Sequence, residues 1–165
     1  MTAESYNQIV SNVLDGYLTR GFFRALSKLS ESPKLTAYTV VWHRNRRLLL
    51  EIDYESRTIT VENLLPGLTL ESPMGRDLIA FLGEFRSRRM PRHRRIDARI
   101  GAVHCIEGEG GVSLSLAMRG TNYEAGVRKI VQIAHELFLD FLLNGPYRQY
   151  QIDQLGLDPD AMWLG

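Results

Sequence analysis

Cysteine occurs once in the 165-residue chain, at Cys105, and lysine only three times. A single cysteine excludes an intrachain disulfide and suits a reducing compartment. No stretch approaches a membrane-spanning length, and Met1 to Gln8 lack the basic-then-apolar pattern of a secretory signal. Cytoplasmic placement without a membrane partner is therefore expected. Internal repeats and low-complexity tracts are also missing, which leaves out repeat architectures.

Local motifs of catalysis are missing as well. The four histidines, His43, His93, His104 and His135, fall on different predicted elements, and His135-Glu136 has no second histidine four residues on. His104 and Cys105 are adjacent on a predicted strand, so their side chains face opposite ways and cannot grip one ion. No Gly-x-Ser-x-Gly elbow exists, and Cys105 reads as a small buried cysteine. Gly108, Gly110 and Gly111 lack the Gly-Lys-Ser/Thr and helix of a phosphate loop, so they read as a hairpin turn. Glu51 and Asp53, two apart on a polar strand face, read as solvated surface. So do Glu136 and Asp140, which share the wet face of the last predicted helix with Arg128 and Gln132. No catalytic residue, metal or cofactor is assigned from the sequence.

What is present is an ordinary globular composition, 44% apolar and 24% charged, with length for one core and not two. Apolar residues Tyr6, Ile9, Val10, Val13, Leu14, Tyr17, Leu18, Phe22, Leu26 and Leu29 recur at threes and fours, predicting one helix from Ala3 to about Leu29. Period-two alternation then predicts strands around Tyr38–Trp42, Leu48–Tyr54 and Ile59–Val61, joined by short polar turns as an antiparallel meander. Ser72-Pro73 opens a helix whose Met74, Leu78, Ile79, Leu82 and Phe85 face inward until Pro91. Ile96 to Ile106 and Val112 to Met118 alternate as two further strands. Thr121 with Glu124 forms a capping box for a helix that runs to Leu142 and closes at Asn144-Gly145-Pro146. The sum is an α+β domain over residues 1–145 with one antiparallel sheet of about five strands, in the order α-β-β-β-α-β-β-α. Residues 146–165 form a C-terminal tail whose Tyr150, Ile152, Leu155, Leu157, Met162, Trp163 and Leu164 are expected to cover an apolar surface of this chain or of a second copy in a homodimer.

That order of elements, over about residues 3 to 145, resembles the fold of type III secretion chaperones and the related YbjN-like bacterial proteins. The resemblance implies a small, often dimeric protein that binds other proteins without chemistry of its own.

Charge supplies the functional clue. Arg44, Arg46 and Arg47, with Arg86, Arg88, Arg89, Arg92, Arg94 and Arg95, are nine arginines in two short runs that hold no acid. Net charge is only +1, so the remaining chain is acidic. Arginine suits planar contact with carboxylate or phosphate. Part of the main run answers to a helix dipole and to solvation, and the rest reads as an anion-binding patch. No aromatic residue interleaves Arg86 to Arg99, so stacking platforms for bases lack support. The expected function is a non-enzymatic, chaperone-like or adaptor domain with a protein partner. Sequence-independent nucleic-acid binding through both runs is the first alternative, and an enzyme whose residues meet only in the fold is the second.

Overall fold

A computed structural model describes residues 2–43 and 45–155. Helix α1 (Ala3–Thr19) leads into strands β1 (Ala25–Glu31), β2 (Leu35–Trp42), β3 (Arg46–Asp53) and β4 (Thr58–Pro66). After α2 (Pro73–Glu84) come β5 (Gly101–Gly108) and β6 (Gly111–Met118). The chain ends in α3 (Tyr123–Glu136), a π-helical continuation (Leu137–Leu143) and α4 (Arg148–Leu155). The α+β class and the single antiparallel sheet are as expected, but the sheet has six strands, ordered β1-β2-β3-β4-β6-β5.

The sixth strand comes from the end of the first predicted helix. Gly21, at φ +77°, closes α1: its N–H donates to the Leu18 carbonyl and that of Phe22 to Tyr17, a glycine-terminated helix end. Phe22, Leu26 and Leu29 keep helical spacing by coincidence, and β1 runs exposed along the sheet edge with Leu29 60% accessible. A bulge between Lys28 and Ser30 and the Lys28 charge guard that edge against further pairing.

Helices α1 and α3 cover one face, packing on each other and on β1, β4 and β6. Alternation puts Val40, Trp42, Leu48, Leu50, Ile52, Ile59, Val61, Leu114 and Leu116 beneath them as core. Asn7 fastens α1 to the sheet, its Oδ1 accepting from the Thr36 hydroxyl and from Tyr54 Oη. Register defines two ends of the sheet. Trp42–Arg46, Pro66–Gly111 and Gly108–Gly111 lie at one, and Asp53–Thr58, Thr58–Ala117 and Gly101–Met118 at the other.

Three further details differ from expectation. Asn122, not Thr121, caps α3 by accepting from the Ala125 N–H. Ile79 faces solvent at 52% exposure. Ile96 is buried without being in a strand, and β5 begins only at Gly101. In the tail, α4 is a helix that periodicity did not announce. Tyr147, Tyr150 and Leu155 pack on the core, with Tyr147 bonded to Asp77 and Tyr150 to the Pro66 carbonyl. Ile152 stays 40% exposed, and Leu157, Met162, Trp163 and Leu164 lie outside the described residues. Among the described residues no helix is long and apolar enough to cross a membrane.

Candidate anion site

The segment from Phe85 to Ile100 is a loop of successive turns pinned by two buried side chains. Helix α2 stops at Glu84 rather than at Pro91, because the Phe85 carbonyl accepts from the returning Ile96 N–H at 2.8 Å and so cannot continue the helical ladder. Pro91 would in any case clash with a helical turn before it. Phe85 is fully buried and Ile96 nearly so. This apolar clasp closes the loop between them. The arginine run thus lies beyond the helix end, and the helix dipole does not explain it.

Against this loop the start of β5 and the end of β6 form a cleft of about 580 Å³ lined by Arg86, Arg88, Arg92, Arg95, Asp97, Arg99 and Arg119 together with Gly101 and Ala102. Arg119 arrives through the β-ladder, its N–H donating to the Ile100 carbonyl at 3.0 Å. Asp97 is the one carboxylate in the lining. It accepts from Arg99 Nε, Nη2 and backbone N–H, and those bonds hold its carboxyl below the ordinary range. Arg95 braces the loop from within by donating Nη2 to the carbonyls of Arg88 and Met90, while its Nε is buried without an acceptor. Among the described residues, Arg86, Arg88, Arg92 and Arg119 meet no carboxylate within ion-pair distance. Convergent like charges in a concave site raise its positive potential and draw in anions.

The other predicted arginines go elsewhere. Arg89 is exposed on the same loop without lining the cleft. Arg94 turns inward, its Nε 2.7 Å from Glu136 and its Nη2 3.4 Å from Asp140. Glu136 and Asp140 are therefore the loop's docking point rather than plain wet surface, and Arg128 pairs instead with Glu124. Gln132 and Lys129 add bonds to the Arg94 and His93 carbonyls. Arg46 is half-buried and donates to the Leu64 carbonyl, while Arg47 is exposed on β3. Arg44 lies outside the described residues. Arg46 and Arg47 stand at the Trp42 end of the sheet and the cleft at the Gly101 end. Along a strand, that separation is about seven residues, or ~23 Å.

Two members of the site were not recognised in the sequence. Arg99 follows the run behind Asp97, and Arg119 sits twenty residues farther on, at the end of the hairpin partner. The hairpin pairing was the available signal, since a strand ending near Met118 must return beside the start of its neighbour.

Burial pushes the Cys105 thiol up to about 11, so it is no thiolate nucleophile at neutral pH. Glu51 is raised first by burial and then by Glu62 beside it on the open sheet face. His43 and His135, distant in sequence, meet with Nε2 and Nδ1 3.5 Å apart inside an aromatic cluster.

Replacing Arg94 with alanine leaves Glu136, whose Oε2 already lacks a partner, without its cation. Stability should fall by about 1–2 kcal/mol, and amide hydrogen exchange over residues 86–99 should accelerate before the rest of the chain opens. Unchanged exchange in that loop would show that Arg94 is not its clamp.

No family model, curated protein or solved structure matches the chain.

Proposed function

We propose that this chain is a binding module that captures an anionic segment of a protein partner in the arginine cleft, with no chemistry of its own. The observation that carries the reading is the gathering of Arg86, Arg88, Arg92 and Arg119 around one concavity whose sole carboxylate, Asp97, is already engaged by Arg99. Guanidinium groups offer fork-shaped donors that carboxylates and phosphates match in pairs. The protein-binding role implied by the resemblance to type III secretion chaperones belongs to the same proposal.

Two features favour a protein segment over nucleic acid. The lining contains no aromatic side chain on which a base could stack. Arg46 and Arg47 stand at the other end of the sheet, so they do not extend the cleft into a track that a phosphodiester backbone could follow.

A fluorescein-labelled, aspartate- and glutamate-rich peptide should bind with an affinity that falls as salt rises. Substituting both Arg92→Glu and Arg119→Glu should weaken it by about 100-fold or more, through lost pairs and new repulsion. A length-matched single-stranded DNA that binds more tightly than the peptide, and loses affinity with Arg47→Glu, would turn the assignment to nucleic acid.

A further inference from the structure

Resting on the reading of the cleft as an anion site, we propose that the group it selects is a phosphoryl dianion, a phosphomonoester on a non-aromatic carrier, rather than a carboxylate. The argument is one of charge and shape. Four arginines that meet no carboxylate at ion-pair distance among the described residues, Arg86, Arg88, Arg92 and Arg119, share one cleft of about 580 Å³. A carboxylate brings one charge and is satisfied by one guanidinium fork, which would leave the other three arginines repelling one another. Several carboxylates along a segment supply the same charge only by ordering several side chains at once, which costs binding free energy. A phosphomonoester carries about 1.5 to 2 negative charges near pH 7 on three acceptor oxygens, so one compact group can engage several forks together.

The lining also narrows the carrier. Among the described residues that line the cleft, none carries an aromatic ring to read a base. Nucleotides therefore gain nothing over simpler phosphomonoesters here.

The full chain would be titrated, at fixed ionic strength, with three short labelled peptides that differ at one position: phosphoserine, glutamate and serine. The phosphoserine peptide should bind at least about tenfold more tightly than the glutamate peptide, reflecting its extra charge and acceptors. Arg119→Gln, checked by its melting temperature to be folded, should reduce phosphopeptide affinity by about tenfold or more, whereas Arg47→Gln at the far end of the sheet should leave it unchanged. Competition with inorganic phosphate separates the carriers. Displacement at a concentration close to the peptide's own dissociation constant identifies a free phosphomonoester, and displacement only far above it identifies a phosphorylated segment; either supports the phosphoryl assignment. Equal affinity for the phosphoserine and glutamate peptides, both lost in Arg119→Gln, overturns that assignment and leaves the binding module standing. Binding indifferent to Arg119→Gln, or tighter binding of a thymidine oligonucleotide than of the phosphopeptide, overturns it too. If no probe binds, both readings fall.

Discussion

Truncating Phe85 to alanine should lower the free energy of unfolding by about 3–5 kcal/mol, the usual cost of emptying a buried aromatic site, and should abolish anion binding even under conditions where the protein remains folded. The ring is fully buried at the point where α2 gives way to the arginine loop. It packs edge-on against Phe81, 5.4 Å between centroids, and Phe81 in turn lies 5.4 Å from Phe141 of the π-helical segment. The same residue's carbonyl holds the Ile96 N–H that closes the loop. Removing the ring therefore opens a cavity beneath the clasp that orients Arg86, Arg88, Arg92 and Arg95. Urea denaturation of the variant beside Ile79→Ala provides the check, since Ile79 is on the same helix but exposed and should change stability by no more than about 0.5 kcal/mol. Should Phe85→Ala fail to fold, Phe85→Leu keeps much of the volume and is expected to cost less while retaining the cleft. A loss below about 1 kcal/mol in Phe85→Ala would mean that Phe85 does not anchor the loop.

This dependence of a surface site on one buried ring explains what was legible in the sequence and what was not. Strands β2, β3, β4 and β6 and the Ser72-Pro73 start of α2 could be read directly, because alternation and capping are local physics acting within a few residues. The helix predicted through Leu29 failed because Phe22, Leu26 and Leu29 fit a helical spacing that Gly21 had already ended. The end of α2 was misplaced for a different reason. Pro91 is a genuine stop, yet the Phe85 carbonyl was claimed earlier by Ile96, a contact between residues that only the fold brings together.

Within the arginine run the chemistry was legible and the division of labour was not. Six arginines in ten residues announce an anion site, but sequence spacing cannot tell Arg94, spent on Glu136 and Asp140, from Arg92, which lines the cleft. Nor can it tell that Arg95 serves the loop's own carbonyls. Arg119 joins only through the β5–β6 ladder. The acidic partners Glu136 and Asp140 had the helical spacing of a wet surface face, and they became a docking point because a loop more than forty residues earlier in the chain lies against them.

The His43–His135 pair predicts a second large effect, a loss of stability in mild acid. His43 is buried at the β2–β3 turn, its ring 3.9 Å from that of Phe138 and 4.1 Å from that of Trp42 between centroids, and among the described residues its Nδ1 has no hydrogen-bond partner. Burial holds its pKa well below the ordinary histidine value, with His135 and the Arg46 guanidinium adding to the effect. Burial lowers His135 as well, opposed in part by the nearby carboxylates Glu136 and Asp140. The folded state therefore excludes a proton that the unfolded chain accepts. Above an unfolded pKa of about 6.5 neither state binds it and stability is unaffected; below that value stability falls with pH by up to about 1.4 kcal/mol per pH unit for each such histidine, until the folded-state pKa is reached. Urea denaturation at pH 7, 6 and 5 should show this slope, and His43→Phe should flatten it. The substituted ring keeps the stacking on Trp42 and Phe138, gives up the 3.5 Å contact of Nε2 with His135, and removes one titrating group from beside Arg46 and His135. Carboxylate protonation contributes equally to both proteins at these pH values, so the difference between the two slopes isolates His43. Identical slopes in the wild type and His43→Phe would show that His43 is not the group whose protonation opposes the fold.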